Sequence, residues 1–335
     1  MRQRSVASTL TVLLVCAVAA AACSSSSHTA SASTSAPAAP PTVASTSAIH
    51  AAKNARVKAC HRPHKAGQFA QSFTFQGKKR TYQLYVPAAY KGTKRVPLVF
   101  NFHGFGSNAV QQMLYGDFKP QADKFNFLIV APDGQDAKIG RHFSFGNEPG
   151  LQSDVLMVSA LLGHVRATLC VDAARVYSTG MSDGGAMTSV LACTSPDKFA
   201  AFAAVAVIVY CGQPTTRKVP IAAFSGTADP VVPFNGGAVH CCGGTVLAAA
   251  PTSMAKWAAH DKCNAAFTDT RLGSEVRRRT WKGCASGTAP VFYIIDGGGH
   301  TWPGSISIPR LGLTTPQIKA SAVIWKFFAA HKLAA

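Results

Sequence analysis

Arg175-Val176-Tyr177-Ser178-Thr179-Gly180-Met181-Ser182-Asp183-Gly184 and the following Gly185-Ala186-Met187-Thr188-Ser189-Val190-Leu191-Ala192-Cys193 decide the fold. The first five residues have the composition of a short strand, and the run after Gly184 has that of a helix. A Gly-x-Ser-x-Gly between strand and helix is a nucleophile elbow, a turn so tight that its serine takes a strained backbone and only small residues fit two positions to either side. The pentapeptide alone is weak, because Gly, Ser and Ala are common in this chain. The strand before and the helix after carry the reading, against a glycine-rich turn with an incidental serine.

A hydroxyl is a poor nucleophile at neutral pH, so Ser182 needs a base, and the base needs an orienting carboxylate. In α/β-hydrolases these follow in the chain order Ser, Asp or Glu, His. Four histidines lie beyond Ser182. His260 sits in a helix-like run, His331 in the terminal helix, and His240 beside a cysteine pair. His300 follows the apolar strand Val291-Phe292-Tyr293-Ile294-Ile295 in a glycine-rich loop, where such a base belongs. Two carboxylates compete to orient it. Asp229 follows the strand Ile221-Ala222-Ala223-Phe224 through a short turn, and Asp296 lies four residues before His300. Asp229 is preferred, since an acid on a neighbouring strand approaches the imidazole from the side opposite the serine. Asp296 is expected to tether its own loop or face solvent. An oxyanion hole is expected from the Phe105 N–H, in the turn His103-Gly104-Phe105-Gly106 after the buried run 97–102, and from the Asp183 N–H after the nucleophile. His103, out of order for the base, reads as structural.

These residues also carry a resemblance. His-Gly after a strand, Val130-Ala131-Pro132-Asp133-Gly134, the elbow itself, Gly226-Thr227-Ala228-Asp229 with Val231-Val232-Pro233-Phe234, and Gly299-His300-Thr301-Trp302-Pro303-Gly304 stand in matching order over about residues 60–331. Together they are similar to the polyhydroxybutyrate depolymerase and feruloyl esterase group of α/β-hydrolases, including mycobacterial lipoprotein esterases. The resemblance implies Ser182, Asp229 and His300 as a catalytic triad, with Trp302 beside the acyl or alcohol pocket. Two departures stand out. Asp183 occupies a position where Asn is common, and residues 143–154, where the group often has a Trp and paired acids, offer only Asp154.

Of 335 residues, 47% are hydrophobic and 14% charged, enough for one sizeable core. Residues 1–22 read as a signal peptide, with Arg2 and Arg4 before an apolar run too short to span a membrane. Ala20-Ala21-Ala22 before Cys23 resembles a bacterial lipobox with Cys23 lipidated; ordinary secretory cleavage is the alternative. The rest of 23–58 is a Ser/Ala/Thr/Pro linker expected to be disordered, and 59–335 the catalytic domain. That domain alternates strand and helix, giving an α/β-hydrolase fold: a mostly parallel central sheet flanked by helices, with no obvious lid. Expected strands are 71–75 and 80–86 as an antiparallel pair, then 96–102, 127–131, 175–179, 201–208, 219–224 and 291–295. Expected helices are 109–125, 153–168, 184–193, 251–263 and 316–331.

Eight cysteines remain in the exported domain, so disulfides are expected. Cys263 with Cys284 is the first expected pair and Cys193 with Cys211 the second, while adjacent Cys241 and Cys242 would bond separate partners. No metal is expected, because His240 beside them has no regularly spaced second ligand cluster. No cofactor is needed for the chemistry. The net charge of +19 falls to +17 without Arg2 and Arg4, with clusters at 53–65, Lys78-Lys79-Arg80 and Arg277-Arg278-Arg279. Nucleic acid is not an expected partner, since no recognised module is present. Anionic lipid heads or acidic envelope polymers fit export better, and a solvated basic surface fits equally well.

The expectation is therefore an exported, lipid-anchored serine esterase acting on an ester, polymeric or small. Acyl transfer to an envelope glycan is one alternative, and a non-catalytic ligand-binding or adhesion lipoprotein on a hydrolase scaffold is another. The sequence leaves open the acyl group, the alcohol and the oligomeric state.

Overall fold

Strand β3 (Val96–Phe102) is buried at every position, and the reason is that both faces of the sheet are covered. Leu98, Phe100 and Phe102 belong to one core and Val99 to the other. A strand with helices on both sides reads as a continuous apolar run. The computed structural model describes residues 59–138, 140–144, 150–212, 217–241 and 245–334. The expected signal peptide, Cys23 and the expected linker lie outside them.

In chain order, strands β1 (Gly67–Phe75) and β2 (Lys78–Val86) precede β3, helices α1 (Ala109–Tyr115) and α2 (Lys119–Phe125) follow it, and β4 (Leu128–Pro132) comes next. A short hairpin, β5 (Gln135–Ala137) with β6 (Gly140–His142), leads to α3 (Leu151–Thr168), β7 (Val171–Met181) and α4 (Asp183–Thr194). After β8 (Ala201–Val205) and β9 (Ile221–Gly226) come the small pair β10 (Gly237–Ala238) and β11 (Val246–Leu247), then α5 (Ala250–His260). The chain ends with the hairpin β12 (Phe267–Arg271) and β13 (Val276–Trp281), strand β14 (Val291–Ile295) and α6 (Ala320–Ala329).

Ten strands form one sheet in the order β1-β2-β4-β3-β7-β8-β9-β14-β13-β12. The six from β4 to β14 run parallel, and an antiparallel pair closes each edge. Helices α3, α4 and α5 cover one face and α1, α2 and α6 the other. All candidate side chains therefore emerge from one rim, beyond the carboxyl ends of the parallel strands, where open α/β sheets bind ligands.

The expected fold class holds, with local differences. The helix expected over 109–125 is two helices, because Pro120 opens α2 and its ring would clash with the carbonyl of residue 116 in a continuous helix. Gly116 ends α1 with its backbone packed against Asn101 and Gln112, and Asp117 turns the chain at φ +40°. Strands β12 and β13 were not expected; β12 is exposed at every position and β13 carries three successive arginines, half-buried, so no apolar alternation marks them.

Cys263–Cys284 and Cys193–Cys211 are bonded as expected, and Cys60–Cys170 is a third bridge. These disulfides fit folding in an oxidising, extracytoplasmic compartment. Cys241 is also disulfide-bonded, and the expectation of separate partners for Cys241 and Cys242 involves Cys242, which lies outside the described residues. Among the described residues, no helix is long and apolar enough to cross a membrane, and no His/Cys/Asp/Glu group could hold a metal.

Candidate active site

Ser182 stands between β7 and α4 at φ +56° and ψ −120°, a backbone conformation rarely taken by a residue with a side chain. The glycines around it explain how the turn is accommodated. A Cβ on Gly180 would collide with the Gly184 and Phe102 carbonyls, and one on Gly184 with the Phe102 carbonyl. The turn thus packs its backbone directly against the end of β3. Strain of this kind costs on the order of 1–3 kcal/mol and persists where the surroundings fix it. Here Ser182 N–H donates to Val205 O at 2.9 Å, and Ser182 O accepts from Gly185 and Ala186 N–H as α4 begins.

The loops after β9 and β14 are joined to each other. Ala228 N–H donates to Gly298 O at 2.9 Å and Gly297 N–H to Thr227 Oγ1 at 2.8 Å. Asp229 is thereby held beside His300, whose Nδ1–H donates to Asp229 Oδ2 at 2.8 Å. The other carboxylate oxygen accepts from Val231 and Val232 N–H, both at 2.8 Å. Both side chains are almost fully buried, and His300 N–H is anchored on Leu311 O at 2.7 Å. With Nδ1 committed to Asp229, Nε2 is the ring nitrogen left for chemistry. The bonds from Val231 and Val232 make an Asx turn at Asp229-Pro230-Val231, which aims the carboxylate and to which sequence analysis gave no part.

Asp296, the competing acid, faces elsewhere. Arg277 grips it through Nε at 2.9 Å and a terminal nitrogen at 2.7 Å, and Arg271 adds an ion pair. The Arg277 hydrogen bond and charge hold the Asp296 carboxyl below the usual carboxylate range. The same contacts absorb much of the expected basic cluster, since Arg277 and Arg279 also pair with Asp269.

The turn after β3 runs past the serine, because a Cβ on Gly104 would sit 3.3 Å from Ser182 Cβ. His103 is fully buried and organises this turn. Gly134 N–H donates to its Nε2 at 2.9 Å, so Nδ1 carries the proton and donates to Gly104 O at 2.8 Å. Burial depresses its pKa to about 4. Gly106 N–H donates to Arg141 O and Ser107 N–H to Gly104 O, which commits the amides after Phe105 to holding the turn.

Asp183 occupies the first position of α4, where backbone N–H groups lack an intrahelical acceptor. Its side chain turns away and accepts from Phe143 N–H at 2.7 Å, and Asp154, fully buried, accepts from Ser144 N–H at 2.9 Å. These two acids pin the segment after β6, whose Phe143 ring packs on His103 at 4.8 Å. Sequence reasoning gave neither side chain this part, because the contacts join elements far apart in the chain.

Ser182 and His300 line one cleft of about 540 Å³ together with Gly104, Phe105, Tyr115 and Met181. Trp302 is not part of that lining. It is fully buried, donates from Nε1 to Ser321 Oγ at 3.0 Å and packs edge-on against Phe118. The expected place beside the pocket is therefore corrected: Trp302 is a core residue that seats α6 beneath the His300 loop. The cleft walls Leu114, Ile306, Ile308 and Arg310 carry no local sequence signal that could have found them.

Residues 80–235 match the family described as Esterase PHB depolymerase. The protein named "Probable feruloyl esterase C" in Aspergillus flavus is 30% identical over 260 residues, covering 75% of this chain and 84% of the relative. Feruloyl esterase B of Piromyces equi is 27% identical over 222 residues, 64% of this chain and 41% of that one. Among solved structures, acetyl xylan esterase from Aspergillus awamori superposes with a TM-score of 0.53 at 16% identity, covering 78% of this chain and 99% of that chain, a likeness of fold. With its elbow, its paired His300 and Asp229 and a feruloyl esterase relative matched over most of both chains, the protein belongs to the PHB depolymerase and feruloyl esterase family of serine-type carboxylic ester hydrolases.

Proposed function

We propose that Ser182, His300 and Asp229 act as a catalytic triad that hydrolyses carboxylic esters through an acyl-enzyme. The observation that carries this reading is the strained Ser182 in the same cleft as His300, whose far nitrogen is held by buried Asp229 at 2.8 Å. His300 Nε2 takes the Ser182 proton as Oγ attacks the ester carbonyl, and later gives it to the departing alkoxide. Asp229 keeps the imidazole in the tautomer that frees Nε2 and stabilises the imidazolium that forms. The Phe105 and Asp183 N–H groups stabilise the tetrahedral oxyanion, one such donor being worth about 3–4 kcal/mol. Water then repeats the attack on the acyl-enzyme. Ser182→Ala is expected to lower kcat on a short p-nitrophenyl ester by at least ~10³-fold with the fold intact. Comparable turnover by a well-folded variant would overturn the assignment.

The substrate class we propose is that named for the matching family and relatives, hydroxyalkanoate or feruloyl esters. We also propose that the domain is an exported lipoprotein held at the membrane by acylated Cys23, in keeping with the lipobox-like Ala20-Ala21-Ala22-Cys23 and the disulfides. Each buried CH₂ of a lipid chain contributes about 0.8 kcal/mol, so two chains anchor stably. Cys23→Ala should move the protein from the detergent phase of a membrane extract to the aqueous phase. Retention of that variant in detergent at high salt would sink the anchor reading and leave the esterase reading standing.

A further inference from the structure

Among its described lining residues, the cleft beside Ser182 holds one arginine or lysine and no aspartate or glutamate. The cation is Arg310, exposed in the short 3-10 turn Pro309–Leu311. Arg277 and Arg279 are neutralised by Asp269 and Asp296, whereas no ion pair of Arg310 occurs among the described residues. Its backbone is held in place. Leu311 N–H donates to Ile308 O at 2.8 Å, Gly312 N–H to Pro309 O at 3.0 Å, and Leu311 O accepts the N–H of His300 itself at 2.7 Å. The guanidinium is thus mounted one residue from a group bonded directly to the base. The same cleft carries aliphatic Leu114 and Ile306, exposed at 60% and 47%, and the uncharged polar side chains of Ser107, Gln111 and Gln112.

A guanidinium with no ion pair among the described residues, in a cleft with exposed aliphatic side chains and no carboxylate in its described lining, is suited to meet a planar anion. Its fork of N–H donors matches a carboxylate bidentately, while the aliphatic side chains cover the carbon body between that carboxylate and the ester. The net charge of +19 draws anions to the surface in general but does not orient them. We infer that Arg310 gives this enzyme a preference for esters bearing a free carboxylate, which it holds while Ser182 attacks the ester bond. This rests on the proposed roles of Ser182 and His300. The carboxylate belongs either to the acyl part, as in a half-ester of a dicarboxylic acid, or to the alcohol part, as at the free end of a hydroxy-acid oligomer.

Matched substrate pairs separate these cases. Mono-4-nitrophenyl glutarate against 4-nitrophenyl pentanoate tests the acyl side, and 4-acetoxybenzoate against methyl 4-acetoxybenzoate tests the alcohol side, each corrected for spontaneous hydrolysis. In at least one pair the wild type should favour the anionic member in kcat/KM, chiefly through KM. Arg310→Gln should lower that anionic-to-neutral ratio about tenfold, a charged hydrogen bond discounted for solvent exposure, and Arg310→Lys should retain part of it. Added salt should narrow the wild-type ratio more than the Gln variant's, which keeps only the general attraction of the basic surface. Ratios that match between wild type and Arg310→Gln in both pairs overturn the inference, as does an equal fall in both members of each pair. A wild type inactive on all four esters would instead overturn the triad reading, and this inference with it.

Discussion

Asp229 and Asp296 follow adjacent strands, β9 and β14, which pair in parallel, yet the two carboxylates do opposite things. The Asp229 side chain is 2% exposed, and two backbone N–H groups fix one of its oxygens so that the other meets His300. The Asp296 side chain is 29% exposed and is held by Arg277 from the neighbouring strand β13. Proximity in sequence to the proposed base His300 thus counts for less than what the carboxylate faces. Four residues of separation send Asp296 out over the sheet edge, while a link of 71 residues brings Asp229 to the imidazole. A buried acid held by rigid amides can set a tautomer. A half-exposed acid in an arginine fork can only tie strands together.

The largest expected effect tests the buried side of this contrast. Asp229→Asn should lower kcat by about 10³- to 10⁴-fold on a short ester with little change in KM, because the amide no longer enforces the Nδ1–H tautomer. A loss of less than tenfold would erase the distinction between the two acids.

A second effect follows from His103, buried on the same rim. Its folded pKa of about 4 lies below the ordinary 6.5, so the unfolded chain binds more protons between those values. His103 therefore contributes stability in full above about pH 6.5, and that contribution is lost as pH falls from there toward 4. The shift corresponds to roughly 3 kcal/mol at most. Unfolding midpoints measured across this window should fall less steeply for His103→Gln than for the wild type. Parallel curves would show that the buried rim does not respond to acid as the geometry requires.

The smallest effect belongs to the outer acid. Asp296→Asn should change kcat less than tenfold and cost at most about 1 kcal/mol at neutral pH, the usual scale of an exposed ion pair. Because Arg277 lowers the Asp296 carboxyl pKa, the wild-type contribution should vanish only as pH falls below the normal carboxylate range. Denaturant titrations at neutral and strongly acidic pH would sharpen this, and a large neutral-pH loss would mean that the hairpin β12–β13 supports the site after all.

The part of the molecule legible in the sequence is the part built from local patterns. The elbow could be read because its backbone demands glycines at 180 and 184, and the buried strands because both faces are covered. The preference for Asp229 over Asp296 agrees with the hydrogen bonds. Trp302 was misplaced because motif proximity to His300 says nothing about which way an indole turns, and here it turns into the core. The hairpin β12–β13 was missed because its arginines find partners only across strands. The Cys60–Cys170 bridge and the acids pinning Phe143 and Ser144 likewise join distant segments, which no local pattern announces.

One measurement meets the central claim most directly: the rate and site of labelling by a fluorophosphonate probe, with the adduct located by peptide mass spectrometry, in the wild type, Asp229→Asn and Asp296→Asn. A single adduct on Ser182 is expected, formed at the wild-type rate in Asp296→Asn and much more slowly in Asp229→Asn. An adduct elsewhere, or Asp296→Asn slowing the reaction while Asp229→Asn does not, would contradict that claim.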